Sequence, residues 1–270
     1  MITNNKYSII DPSIQRPMFM SVPAVSLGFL IYWVSINFNW QSILTLYIVS
    51  MIISWHISVF AHRARAHKAW KPNKFVEIWG LLVFTLLMTG TSVGYVGTHR
   101  QHHRHTDTEQ DPHSPFFISR FRIQFLLWNV DLQLGYLVDM LRQPVHVWFM
   151  KYYWFINFAW FGILYTIDPS WLLFWLASVG ITHMRQQIIN SLAHNTPWWY
   201  FPIGPKDISN SLLLGLITPG ESWHRNHHDD PANYNFSRKW YELDPPAMII
   251  NILVKFRLGE INQLTKAKDS

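Results

Sequence analysis

The chain has 270 residues, 49% of them hydrophobic and 16% aromatic against 14% charged, with a formal charge of +6. That balance excludes disorder, which goes with few aromatics and much charge. The absence of Cys excludes disulfides, iron–sulfur clusters and cysteine-ligated zinc, while 14 His stand out as an excess.

The first residues are polar and mixed, without the pattern of a cleavable signal. From Pro17 to His62 there is no Asp, Glu, Lys or Arg. A charge at the centre of a membrane helix costs about 2.5–3.5 kcal/mol, so this stretch predicts two spans, 20–36 and 41–60, turning at Asn37-Phe38-Asn39-Trp40. Residues 61–146 are polar and basic. Within them, 75–98 predicts a helix that dips toward the bilayer without crossing, because its uncharged part carries Gly80, Gly90, Gly94 and Gly97 beside Thr85, Thr89, Thr91 and Ser92. A crossing there would separate the histidine-rich segments on either side of it. From Tyr152 to Met184 the only charge is Asp168, which predicts two further spans, 147–167 and 170–189. In 190–270, the run from Pro245 to Leu258 predicts an amphipathic helix started at Pro246 and stopped by Gly259. No repeat, linker or low-complexity segment divides the chain. The expected fold is a single all-α integral membrane domain over 1–270: four transmembrane helices in two hairpins, and a cytoplasmic helical part.

Of the 22 basic residues, Lys6 and Arg16 precede the first charge-free stretch, 11 lie between Arg63 and Lys151, and nine follow from Arg185. Under the positive-inside rule this puts 1–19, 61–146 and 190–270 on the cytoplasmic face of a multi-pass protein. The basic balance then points to anionic lipid headgroups; no nucleic-acid motif is present, and no nucleic-acid partner is expected.

Three histidine clusters follow spans: His62-Arg-Ala-Arg-Ala-His67, His99-Arg-Gln-His102-His103 and His224-Arg-Asn-His227-His228, with Asn190-Ser-Leu-Ala-His194 closing the last span. On a helix, i, i+3 and i+4 share a face, so His99, His102 and His103 are expected to point one way, as are His224, His227 and His228. His62 and His67 diverge by about 140°, which suits a frayed helix end or two ligands serving different metals. Isolated His56, His146 and His183 read as hydrogen-bonded core residues. Nine clustered imidazoles exceed the four ligands of a structural zinc and suit two metals with open positions, pointing to iron and oxygen chemistry. Asp107, Glu109, Asp111, Glu221, Asp229 and Asp230 are candidates to orient the rings. Arg63, Arg65, Arg100, Arg104 and Arg225 are expected on the opposite faces, meeting headgroups.

The boxes His62-x4-His67, His99-x2-His102-His103 and His224-x2-His227-His228 resemble those of membrane fatty-acid desaturases. The longer strings from His99 to His113, from Asn190 to His194 and from Gly220 to His228 resemble the Δ9 acyl-CoA/acyl-lipid branch, which includes stearoyl-CoA desaturases. The resemblance implies a di-iron site held by His62, His67, His99, His102, His103, His194, His224, His227 and His228, with Asn190 holding one iron through a water. It also implies O₂ as co-substrate, a cis double bond (Δ9) placed in a saturated chain on CoA or lipid, and an apolar tunnel for that chain. Membrane lipid and a separate electron donor of cytochrome b5, ferredoxin or rubredoxin type are the implied partners, since no haem-binding His-Pro-Gly-Gly is present. Two stretches depart from the pattern: Ser114-Pro-Phe-Phe-Ile-Ser-Arg-Phe-Arg122, which leaves the headgroup open, and the peripheral His67-Lys-Ala-Trp70. A membrane di-iron hydroxylase is the sister alternative. A haem protein or metal transporter would need facing histidines inside the spans, for which only His56 and His183 qualify.

Overall fold

The computed structural model describes residues 25–125, 132–194 and 208–262. The predicted segment 1–19, the first residues of the 20–36 span and part of 190–270 lie outside the described residues. Helix α1 (Val25–Ile36) turns at 37–39 into α2 (Trp40–His56), where Asn39 caps by accepting from the Ser42 N–H. The helix does not end at residue 60 as predicted. It continues as a π-helix over Ile57–Ala66, carrying His62 beyond the apolar stretch without a break. Trp40–Ala66 is the one described helix long and apolar enough to cross a membrane by length and composition.

The predicted 75–98 helix is two helices, α3 (Lys74–Leu86) and α4 (Ser92–His105). Between them Met88 and Gly90 take positive φ, 55° and 94°, and Thr91 caps α4 through the Gly94 N–H. Short helices α5 (Arg120–Gln124), α6 (Val138–Leu141) and α7 (Pro144–Lys151) follow. The predicted 147–167 span is likewise divided, with α8 (Tyr153–Ile167) beginning after a break at Tyr152. Asp168 accepts from Ser170 N–H and opens α9 (Pro169–Leu192), the longest regular α-helix described. Then come α10 (Leu212–Gly215), α11 (His224–Asp229) and α12 (Pro245–Lys255).

The all-α expectation needs one amendment. Among the described residues, β1 (Trp70–Pro72) and β2 (Gly259–Ile261) form an antiparallel pair with Trp70 opposite Ile261. It fastens the chain's end beside the first histidine box, and the Asn262 N–H donates to the Ala69 carbonyl.

Packing places the box-bearing elements together. Helix α9 lies along α2, and Gly180 is so close to α1 that a Cβ there would sit 2.5 Å from the Ser26 carbonyl oxygen. Asn157 of α8 donates to the Thr85 carbonyl and ties α8 to the end of α3. The buried Val59, Ala64, Trp70, Val76 and Ile250 join the π-helix, β1, α3 and α12. A second group, Ala66, Val93, Val96, Leu137, Met140 and Met150, locks α4 to the π-helix end and to α6 and α7.

Candidate metal centre

Nine histidines from four stretches of chain converge into two groups. His62, His67, His99, His103 and His227 form the first; His102, His194, His224 and His228 form the second; within each, the ligand atoms lie within 4.8 Å of one another. The π-helix explains the His62–His67 pair. Its hydrogen bonds run from i to i+5, and the His67 N–H reaches the His62 carbonyl at 3.1 Å. Residues five apart therefore share a face, correcting the divergence expected of an α-helix. The opposite correction applies to the double histidines. His102 and His103 are about 100° apart on α4 and go to different groups, as do His227 and His228 on α11.

The Nε2 atoms face one another: His62 to His227 at 3.1 Å, His67 to His99 at 2.7 Å, His103 to His227 at 2.8 Å. In the second group His194 faces His224 at 2.9 Å, and His228 faces His224 at 3.2 Å and His102 at 3.4 Å. Carboxylates hold the other nitrogen of three rings. His62 Nδ1 meets Glu221 at 2.8 Å, His102 Nδ1 meets Asp111 at 2.9 Å, and His194 Nδ1 meets Asp107 at 3.2 Å. A carboxylate only accepts, so Nδ1 carries the proton in these three, and each Nε2 presents a bare lone pair. Three such lone pairs aimed into clusters of further imidazole nitrogens make a donor set that a cation would complete. Two nitrogens each about 2.1 Å from one ion and at right angles are about 3.0 Å apart, which matches the spacings. The residues therefore fit a resident metal in each group.

Electrostatics agree. Burial, with mutual repulsion, holds His67, His99, His102, His103, His224, His227 and His228 well below the ordinary imidazole range, so they stay neutral as ligands must. Burial also pushes Asp111 up to about 6, against the N–H groups of His113 and Asp107 that pull it down. For Glu221 burial acts upward too, but His62 and Arg63 together outweigh it and hold the carboxyl well below its usual range.

Asn190 belongs to neither group; its side-chain amide donates to Gln187 Oε1 at 3.2 Å. Of the six candidate carboxylates, Asp107, Asp111 and Glu221 orient rings, whereas Asp229 pairs with Arg225 and Arg238 and Glu109 is exposed. Four of the five arginines are not turned out to headgroups. Arg63 is fully buried between Asp244 (2.9 Å) and Glu221 (3.3 Å), over the Phe236 ring. Arg100 holds Asp139 and the carbonyls of Arg65 and Ala66, Arg65 pairs with Glu77, and Arg225 with Asp229; only Arg104 is exposed. The guanidiniums of Arg63, Arg65 and Arg100 reach other stretches of chain and bind the layers together, whereas Arg225 and Asp229 pair within α11. Sequence reasoning missed His113, whose ring stacks on His102 at 4.2 Å and joins it with Asp111, although the Asp111-Pro-His113 run had marked it. His56 meets the Gly80 carbonyl at 3.1 Å and His146 is buried beside Glu77.

Residues 15–247 match the family described as fatty acid desaturase. The chain belongs to the fatty acid desaturase family. It is 31% identical to Delta-9 acyl-lipid desaturase 1 of Arabidopsis thaliana over 80% of this chain and 73% of that protein. It is 28% identical to the sn-1 stearoyl-lipid 9-desaturase of Anabaena variabilis, covering 84% of this chain and 86% of that one. Identity to the sn-2 palmitoyl-lipid 9-desaturase of Nostoc sp. (strain 36) is also 28%, with 83% and 82% covered. The protein is thus a membrane-associated oxidoreductase that desaturates fatty acyl chains, and the hydroxylase alternative is not favoured.

Proposed function

We propose that the protein places a cis double bond at Δ9 of a saturated acyl chain carried on a lipid, at a two-iron centre on the cytoplasmic face. One iron is assigned to His62, His67, His99, His103 and His227, and the other to His102, His194, His224 and His228, with Asn190 reaching the second through a water. The observation that carries the reading is the convergence of nine Nε2 atoms in two groups. Δ9 position and lipid carrier rest on the relatives, named as 9-desaturases of acyl lipids.

Bound iron supplies the oxidising power that, with O₂, two electrons and two protons, removes two hydrogens from adjacent methylenes and releases two waters. The chain's own residues do the holding. Glu221, Asp111 and Asp107 fix ring orientation and tautomer, and Arg63 and Asp244 fix Glu221 from behind. Burial of the rings keeps bulk water from the reacting carbons. Electrons come from a separate cytochrome b5-, ferredoxin- or rubredoxin-like donor.

Four crossings, by α1, α2, α8 and α9, are the proposed topology, with the N-terminus inside. Support comes from the charge-free stretches and from the site itself. His62 and His67 precede α3, and His99, His102 and His103 follow it in one cluster with them, so α3 and the start of α4 return to the side they left. The deciding experiment is expression in a desaturase-deficient host with gas chromatography of double-bond positions in each lipid class. New 9-monoenes on glycerolipids are expected; hydroxylated chains without new double bonds would refute the reading.

A further inference from the structure

Arg185 lies in α9, inside the boundaries predicted for the fourth span and nine residues before His194, about 13 Å along a helix. It is 3% exposed. Of the five N–H donors a guanidinium carries, one has a hydrogen-bond partner among the described residues: Nη1 donates to Ser50 Oγ at 2.7 Å. Its Nε is buried without a partner. No carboxylate among the described residues forms an ion pair with it. What covers the group is the Tyr47 ring, 4.7 Å from the guanidinium carbon. Neither a hydroxyl nor a ring face carries the net negative charge that a buried cation requires. The helix dipole does not supply it either, because its effect is confined to the last turn and α9 runs on to Leu192.

The surroundings say from where an anion would come. Tyr47 is 39% exposed, and Leu44, Ile48 and Ile52 on the same side of α2 are exposed as well. The Tyr47 hydroxyl donates to the Leu216 carbonyl at 2.5 Å, just after α10, where Leu212, Leu213 and Leu216 are all exposed. A buried cation thus sits one aromatic ring beneath an apolar surface that, in the proposed topology, faces lipid. We propose that Arg185, with Ser50 and Tyr47, is a binding site for the anionic group of a lipid, separate from the histidine clusters, with Tyr47 as its cover.

The test is thermal unfolding of the purified full chain in neutral detergent, with phosphatidylglycerol, phosphatidylcholine or inorganic phosphate added. Phosphatidylglycerol is expected to raise the Tm of the wild type by several degrees, since a ligand bound to the native state alone stabilises it. Phosphatidylcholine and inorganic phosphate are expected to leave it unchanged. Arg185→Met should lose the response while keeping a Tm in lipid-free detergent at or above that of the wild type, because it removes an unpaired buried charge. Arg185→Lys should keep the response. Equal shifts with both lipids, a response to phosphate but not to phosphatidylglycerol, or a full response in Arg185→Met would overturn the site. A lipid-independent loss of stability in Arg185→Met, with no shift of the wild type, would show Arg185 to be only a clamp between α2 and α9. If Arg185→Met does not fold, the wild-type lipid series and Arg185→Lys decide the matter.

Discussion

The main-chain N–H of His67 donates to the carbonyl of His62, five residues back, at 3.1 Å. That bond puts both imidazoles in one five-membered group and leaves His102, His194, His224 and His228 as a separate four-membered one. The partition has a measurable consequence. His67→Ala removes one of five nitrogens from the first group and none from the second; His194→Ala does the reverse. In the proposed two-iron site each variant is expected to bind about one iron where the wild type is expected to bind two, and each should lose nearly all activity. Iron analysis beside a desaturation assay checks this. A variant that retained both irons and full turnover would contradict the assignment.

Glu221 grips His62 through Nδ1 at 2.8 Å and is itself held by Ser58 at 2.5 Å and Arg63 at 3.3 Å. Partners that orient a metal-binding histidine typically matter 10–100-fold in metal affinity or activity. Glu221→Gln keeps the shape but loses the charge that fixes the Nδ1 proton. Its loss of metal to a chelator should therefore be roughly 10–100 times easier than in the wild type. Asp111→Asn should behave alike, because His102 leans on Asp111 in the same way at 2.9 Å.

Arg63 is 0% exposed and Asp244 2%, with 2.9 Å between them. Removing one partner of a buried pair leaves the other charged and unsolvated, a loss of about 3–5 kcal/mol. Arg63→Met is expected to unfold at a clearly lower temperature than the wild type. The double variant Arg63→Met with Asp244→Leu should recover part of the loss, since Asp244 is then not left as a lone buried charge and only Glu221 lacks its guanidinium partner. A double variant less stable than the single one would count against the account.

The sequence made the composition of the site legible but not its partition. His-x-x-His-His spacing picked out imidazoles that the fold gathers into clusters, because i, i+3 and i+4 neighbour one another on any α-helix. It could not separate His102 from His103 or His227 from His228, since which group an adjacent pair serves depends on how α4 and α11 pack together. The π-helix was hidden for a related reason: no residue type signals an i+5 ladder, and Ile57–Ala66 reads as an ordinary helix end. The break between α3 and α4 was more accessible, because Gly90 and the Thr91 cap stood in plain view within an uncharged run. The arginines misled for want of partners. Asp244 lies 181 residues beyond Arg63, and nothing local indicates that pairing.

Acid should weaken the metal-free protein, and the native imidazoles set the direction. Burial holds seven clustered histidines well below their ordinary range and takes His113 down to about 3. In the unfolded chain each titrates near 6.5. As pH falls below about 6.5 the unfolded state takes up protons that the native state refuses, so stability present above that pH is progressively lost. Asp111 acts the other way, because burial pushes its carboxyl up to about 6 and protonation there favours the native state, but it is one group against eight. The Tm of chelator-stripped protein is therefore expected to fall steadily from pH 7.5 to 5.5. His113→Gln should flatten that slope by removing one of the eight. A Tm that stayed level or rose across the range would mean that these rings are hydrated and free to charge in the native fold, and the packed, neutral ligand set would have to be abandoned.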